Sequence, residues 1–200
     1  MYNSIIADQI VFVKPEYVPD MGTKNPLGHD QELFKSISLA AMEAKEQTWF
    51  IRMLRSIKSF NRSYSNEPNI HVLERLLLLV TSFEILFEGK TTSGSKLGKV
   101  MASLIAPSPS EFPDDSKLVE SLVNRLYKMR SRYTHGNPID KIQIIDPEFG
   151  DMFRVGCYVY GLAIKNLLSC QGYLSNHDDY TKHIDLWRLL RIMKEPEQEL

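Results

Sequence analysis

The sequence predicts an all-α protein, a helical bundle of four to five core helices behind an extended N-terminal arm. Three observations carry this expectation. From about residue 30 onward apolar residues recur at helical spacing, as in the stripe Trp49, Met53, Ile57 and Phe60. Asp, Gly and Pro fall where helices start and stop, such as Asp30, Gly89, Pro113 and the run Gly136-Asn137-Pro138. Short β-type runs are confined to Ile10-Val11-Phe12-Val13 and Lys141-Ile142-Gln143-Ile144-Ile145.

The elements follow in order. Residues 1–28 read as an extended arm with one short strand, because Pro15, Pro19, Gly22, Pro26 and Gly28 interrupt any regular element. Asp30 caps a helix that starts near Gln31, and the stretch to Tyr64 reads as one long helix or two. A helix over residues 69–87 contains Leu76-Leu77-Leu78-Leu79-Val80, apolar on every side, which marks it as the central and most buried one. Shorter and longer helices are expected over 95–105, 116–135, 148–171 and 180–193. Residues 29–193 form the expected helical domain, and 194–200 a solvated tail.

Composition narrows the function classes. The 200 residues are 43% hydrophobic and 24% charged, which suits a globular chain with a core of its own. The net charge of −1 provides no whole-molecule attraction for nucleic acid, so any such binding needs a local patch. No apolar run is long enough to cross a membrane. Cys157 and Cys170 lie on one predicted helix about 20 Å apart, too far to bridge. They read as packed core thiols in a reducing, cytoplasmic setting.

Two charges fall on faces where leucines are expected. With Val119 at zero on the 116–135 helix, Leu122, Val123, Leu126 and Tyr133 form the inward stripe, and Arg130 falls at about 20°, inside it. With Ile70 at zero on the central helix, Leu73, Leu77 and Val80 define a stripe that contains Glu84 at about 320°. A desolvated guanidinium needs a partner or a wet cleft. Glu84 and Arg130 are therefore expected to face each other or a shared polar cleft; a buried structural ion pair explains the same pattern. His135 follows in the last turn, about 140° around from Arg130 on an ideal helix. A histidine there also suits a helix C-terminus simply as a dipole partner.

The run Arg130-Ser131-Arg132-Tyr133-Thr134-His135-Gly136 resembles the Arg-x4-6-His signature of the HEPN superfamily. With Leu126-Tyr127-Lys128-Met129 before it, and the leucine-rich helix ending in Phe83-Glu84-Ile85-Leu86, it looks like the Apea-like HEPN branch. The likeness spans roughly residues 45–170. Ser131 stands where many active members carry Asn, Asp or His.

The resemblance implies a helical bundle that forms homodimers, with the Arg/His pairs of two copies in one cleft. It implies a metal-independent endoribonuclease of the toxin or defence kind, without cofactor. In it the ribose 2′-OH attacks the adjacent phosphate and leaves a 2′,3′-cyclic phosphate. His135 would then serve as general base or acid and Arg130 would hold the phosphate, with Glu84, Ser131 and Tyr133 in support. Arg125, Lys128 and Arg132, with Lys117, form a strip suited to an RNA backbone, against the single acid Glu120. The alternative is a non-catalytic HEPN module that binds RNA or a protein partner, such as an antitoxin or a nucleotidyltransferase.

Other motifs carry less. Gly89 to Lys96 resembles a phosphate loop but lacks Lys-Ser/Thr after its second glycine and follows a helix. His177, Asp178, Asp179 and His183 match no metal-ligand spacing. Tyr158 and Tyr160 read as core or interface aromatics.

Overall fold

A computed structural model describes residues 31–64, 72–87, 93–105, 113–134 and 147–174. Everything among the described residues is helix or turn, with no strand. The helices are α1 (Gln31–Glu43), α2 (Thr48–Tyr64), α3 (Val72–Leu86), α4 (Gly94–Ile105), α5 (Pro113–Thr134) and α6 (Pro147–Cys170). The all-α expectation holds. The expected arm, the two β-type runs, the 180–193 helix and the tail lie outside the described residues. None of the described helices is long and apolar enough to cross a membrane.

The chain divides into two compact units, Met1–Glu88 and Gly89–Leu200. In the first, the stretch from Gln31 to Tyr64 proves to be two helices. The break at residues 44–47 has neither Gly nor Pro. The carbonyl of Gln47 accepts from the N–H groups of Phe50 and Ile51, both at 3.1 Å, and so starts α2. The Trp49 indole N–H donates to Gln47 Oε1 at 2.5 Å and fixes that first turn. Helix α1 buries Leu33, Ile37 and Ala40 while Phe34, Leu39 and Met42 stay exposed.

Helices α2 and α3 run antiparallel, and serine holds them close. Ser56 Oγ donates to the Ser82 carbonyl at 2.6 Å, and Ser59 Oγ to the Leu78 carbonyl at 2.9 Å. A serine that reaches a neighbouring helix's backbone must sit where little else fits, and Ser56 is fully buried. Around this seam pack Phe50, Met53, Ile57, Leu76, Leu79 and Phe83, all essentially solvent-free. Burial of each such side chain contributes about 1.5–3 kcal/mol. The leucine-rich helix is less enclosed than expected: of residues 73–87 only Glu74 is exposed, but Leu77 and Leu78 are half-buried, and the row Val155–Lys165 of α6 is buried at every position but Tyr158.

In the second unit α4, α5 and α6 pack on one another. The α4/α5 contact is antiparallel and glycine-mediated. A Cβ built on Gly98 would lie 2.8 Å from the Glu120 carbonyl oxygen, and one on Gly94 would lie 2.7 Å from Tyr127 Cδ1. Only the absence of side chains at these two positions allows the helices so near each other. Asn166 of α6 donates from Nδ2 to the Leu104 carbonyl at 2.9 Å, which satisfies an acceptor in the last turn of α4.

Two helix starts differ from the expected ones. Helix α5 begins at Pro113, three residues before the expected start, because proline needs no N–H partner in a first turn. Helix α6 begins at Pro147 for the same reason. It ends on Gly172 at φ +79, with Tyr173 N–H bonded to Leu168 O and Gly172 N–H to Ser169 O, both 2.9 Å. That paired bonding is the left-handed glycine cap, and it leaves Cys170 exposed. The expectation of two packed thiols is thus corrected: Cys157 is buried in the core, whereas Cys170 occupies the last turn, where the chain leaves it. Burial pushes the Cys157 thiol well above its ordinary pKa. Tyr160 is fully buried, as a core aromatic, and Tyr158 is half-buried.

Candidate functional site

The candidate site is built on the C-terminal half of α5. The sequence places an apolar stripe there, and the structure buries it: Leu118, Val119, Leu122, Val123 and Leu126 are all at most 4% exposed. Arg130 continues that row one turn further on and is half-buried. Its guanidinium carbon lies 5.6 Å from the centroid of the Tyr127 ring, within range of a cation–π contact. The Nε–H of Arg130 is shielded from solvent and meets no hydrogen-bond acceptor, while the residue makes further contacts elsewhere. One side of this side chain is therefore held in a dry, aromatic setting.

A chain of packing fixes that setting. Gly94 leaves room for the Tyr127 ring against α4, and the ring in turn carries the guanidinium. Any side chain at Gly94 would displace the ring and with it the cation. Near the helix end Thr134 Oγ1 bonds back to the carbonyls of Arg130 and Ser131, both at 3.1 Å. This holds the last turn in which the motif sits. Ser131 is half-buried beside Arg130 in sequence.

The other expected site residues are distributed as follows. Lys128 is exposed and falls about 160° around α5 from Arg130, whereas the half-buried Arg125 follows Leu118 at i+7, at the edge of the apolar stripe. The exposed Lys117 shares the side of Lys128, so these two lysines lie across the helix from Arg130. Arg132 and Tyr133 continue the α5 backbone, and their side chains lie outside the described set, as does His135. Glu84 is half-buried on α3 and belongs to the first unit, whereas Arg130 belongs to the second.

Two charged features were not picked out in the sequence. Arg75 is half-buried on α3 with its Nε–H shielded, in the i, i+3, i+7 row of Leu78 and Ser82 whose carbonyls accept from α2. In the sequence it directly precedes the apolar run Leu76 to Val80. The second is α2 itself, which carries Arg52, Arg55, Lys58 and Arg62 and no acid over its 17 residues. The signal was available in the sequence as a charge count along that helix.

Among the described residues no group of three His, Cys, Asp or Glu side chains is placed to hold a metal ion. The His177 to His183 cluster lies outside the described residues. No family model matches this sequence, and searches among curated proteins and solved structures found no match.

Proposed function

We propose that this chain is an RNA-cleaving helical domain in which Arg130 and His135 serve one transesterification. The observation that carries the reading is the placement of Arg130. A permanently charged guanidinium extends the apolar stripe of α5, half-buried and backed by the Tyr127 ring. A charge so placed is costly unless it is compensated, and a guanidinium held in that position suits an anion.

In the proposed step the ribose 2′-oxygen bonds to the adjacent phosphorus and the bond from phosphorus to the 5′-oxygen breaks. The products are a 2′,3′-cyclic phosphate and a 5′-hydroxyl. His135 takes the proton from the 2′-OH or returns one to the 5′-oxygen, as an imidazole that titrates near neutrality can. Arg130 binds the non-bridging oxygens with its planar fork and offsets their growing charge. The step needs no metal and no cofactor. A second copy of the chain, bringing a second Arg130 and His135 to the same phosphate, fits this chemistry.

The test is cleavage of a mixed RNA pool in EDTA by the wild type, Arg130→Ala and His135→Ala. Cyclic-phosphate ends from the wild type alone, with all three proteins folded, support the reading. If the wild type cuts nothing, or the variants cut equally well, the domain is a binding module and Arg130 a structural or anion-holding residue.

A further inference from the structure

Helix α1 is apolar on two sides. With Phe34 at zero on its wheel, Ser36, Ala40, Leu33 and Ile37 fall between about 200° and 300°, and all four are at most 5% exposed. From about 340° round to about 140° lie Ala41, Phe34, Ser38, Met42, Lys35 and Leu39. This second arc is open: Met42 is 75% exposed, Phe34 50% and Leu39 45%. With Ile51 at the start of α2, they are the large hydrophobic side chains that stand exposed among the described residues. Single exposed hydrophobics are ordinary, but three on one face of one helix mark a surface made for contact. A helix that is apolar nearly all round is expected to be covered all round.

The charges of α1 indicate what covers it. They are Glu32, Lys35 and Glu43. A helix that lies on an anionic membrane needs a row of cations beside its apolar face, which α1 lacks. Lys35 stands inside the open arc at about 100°, so a covering surface must bring an acid to it. Glu43 stands at about 180°, on the same flank and at the other end of the helix. The two are about 12 Å apart along the axis and cannot pair within one helix. They do meet when two copies of α1 lie antiparallel about a twofold axis beside Leu39. Lys35 of each copy then faces Glu43 of the other, Leu39 meets Leu39, and Phe34 reaches Met42 in a sulfur–aromatic contact. The small residues Ser38 and Ala41 let the two helices come close. We infer that this face of α1 is a self-association surface whose occupant is a second copy of the chain. It belongs to the first unit, whereas Arg130 belongs to the second, and it does not rest on the cleavage reading. One pair of helices about 20 Å long is at the low end of specific interface size, which suits a dissociation constant on the order of 10 µM.

The experiment is sedimentation equilibrium of the full chain up to about 200 µM, with circular dichroism to show that each variant keeps its fold. The wild type should dimerise. Met42→Glu buries an acid in the contact of both copies and should weaken the dimer at least about 100-fold. Lys35→Glu and Glu43→Lys each set like charges face to face twice and should each weaken it about tenfold. The double swap Lys35→Glu/Glu43→Lys restores both pairs and should return to within about threefold of wild type. That recovery separates this arrangement from dimerisation through any other face. A wild type that stays monomeric, a dimer indifferent to Met42→Glu, or a double swap no better than the single ones would each overturn the inference. In a monomer, alkylation of a Met42→Cys/Cys170→Ser variant tells which other occupant holds the face. A protected thiol assigns it to the chain's own N-terminal residues and a reactive one to a different protein, and either result ends the self-association reading.

Discussion

The α2/α3 seam and the α4/α5 seam solve one problem in two ways. Both bring antiparallel helices close enough for atoms of one to touch the backbone of the other. In the first, serine hydroxyls reach across and donate to carbonyls, so the seam is polar and tied by directed bonds. In the second, Gly94 and Gly98 simply remove the obstacle, and contact is made by shape. The difference teaches where each seam is fragile. A hydroxyl can be lost at the cost of one hydrogen bond, whereas a missing side chain cannot be supplied without pushing the helices apart.

Substitutions can break this contrast, beginning with the largest effect. Gly98→Val forces a branched side chain onto the Glu120 carbonyl and should lower stability by about 3 kcal/mol, the upper end of overpacking costs. Denaturant titration by circular dichroism checks this, and a loss under about 1 kcal/mol would mean the α4/α5 contact yields easily. Ser56→Val adds bulk to the other seam and removes a donor, for about 2 kcal/mol. Ser56→Ala removes the hydroxyl alone and should cost about 1 kcal/mol, with Ser59→Ala, whose bond is longer, costing less. If Ser56→Ala proves as damaging as Gly98→Val, the hydrogen bonds and not the close approach dominate the first seam.

The two thiols sharpen a smaller contrast, between the core and the end of α6. A disulfide-exchange reagent at mild alkaline pH should label Cys170 at once and Cys157 only on unfolding. Because the folded pKa of Cys157 is raised, the unfolded thiol ionises first as pH rises. Its contribution is intact below about pH 8.5 and declines above it, toward the folded value. The Cys157→Ala variant should lose less stability between neutral and alkaline pH than the parent, by the same denaturant measurement.

Much of the fold was legible because a helix repeats its chemistry. The α5 stripe from Val119 to Leu126 stands out by period alone. The break before α2 was not legible, since Ala44 to Gln47 contain no residue that forbids helix. Gly94 drew notice as part of a poor phosphate loop, yet its role is to admit the Tyr127 ring, which only a neighbouring helix can reveal. The inward position of Arg130 was legible from the wheel. Its aromatic backing was not, because a three-residue spacing says that Tyr127 is near without saying that its ring turns toward the cation. The strip of Lys117, Arg125 and Lys128 was legible as charge, and the wheel that turns Arg130 inward also sets Lys117 and Lys128 across the helix from it.

The bond from Asn166 to Leu104 also has a bearing on the order of events during synthesis. The acceptor ends α4, and its donor arrives 62 residues later in the chain. A ribosome that has released α4 and α5 has therefore delivered a helical hairpin whose Leu104 carbonyl must be served by water until α6 emerges. The glycine-seamed pair can form early, from nearby contacts, but its far end is completed by a late arrival. Translation stalled before Asn166 would leave this unit with an open helix end, exposed to proteases and chaperones for as long as the pause lasts.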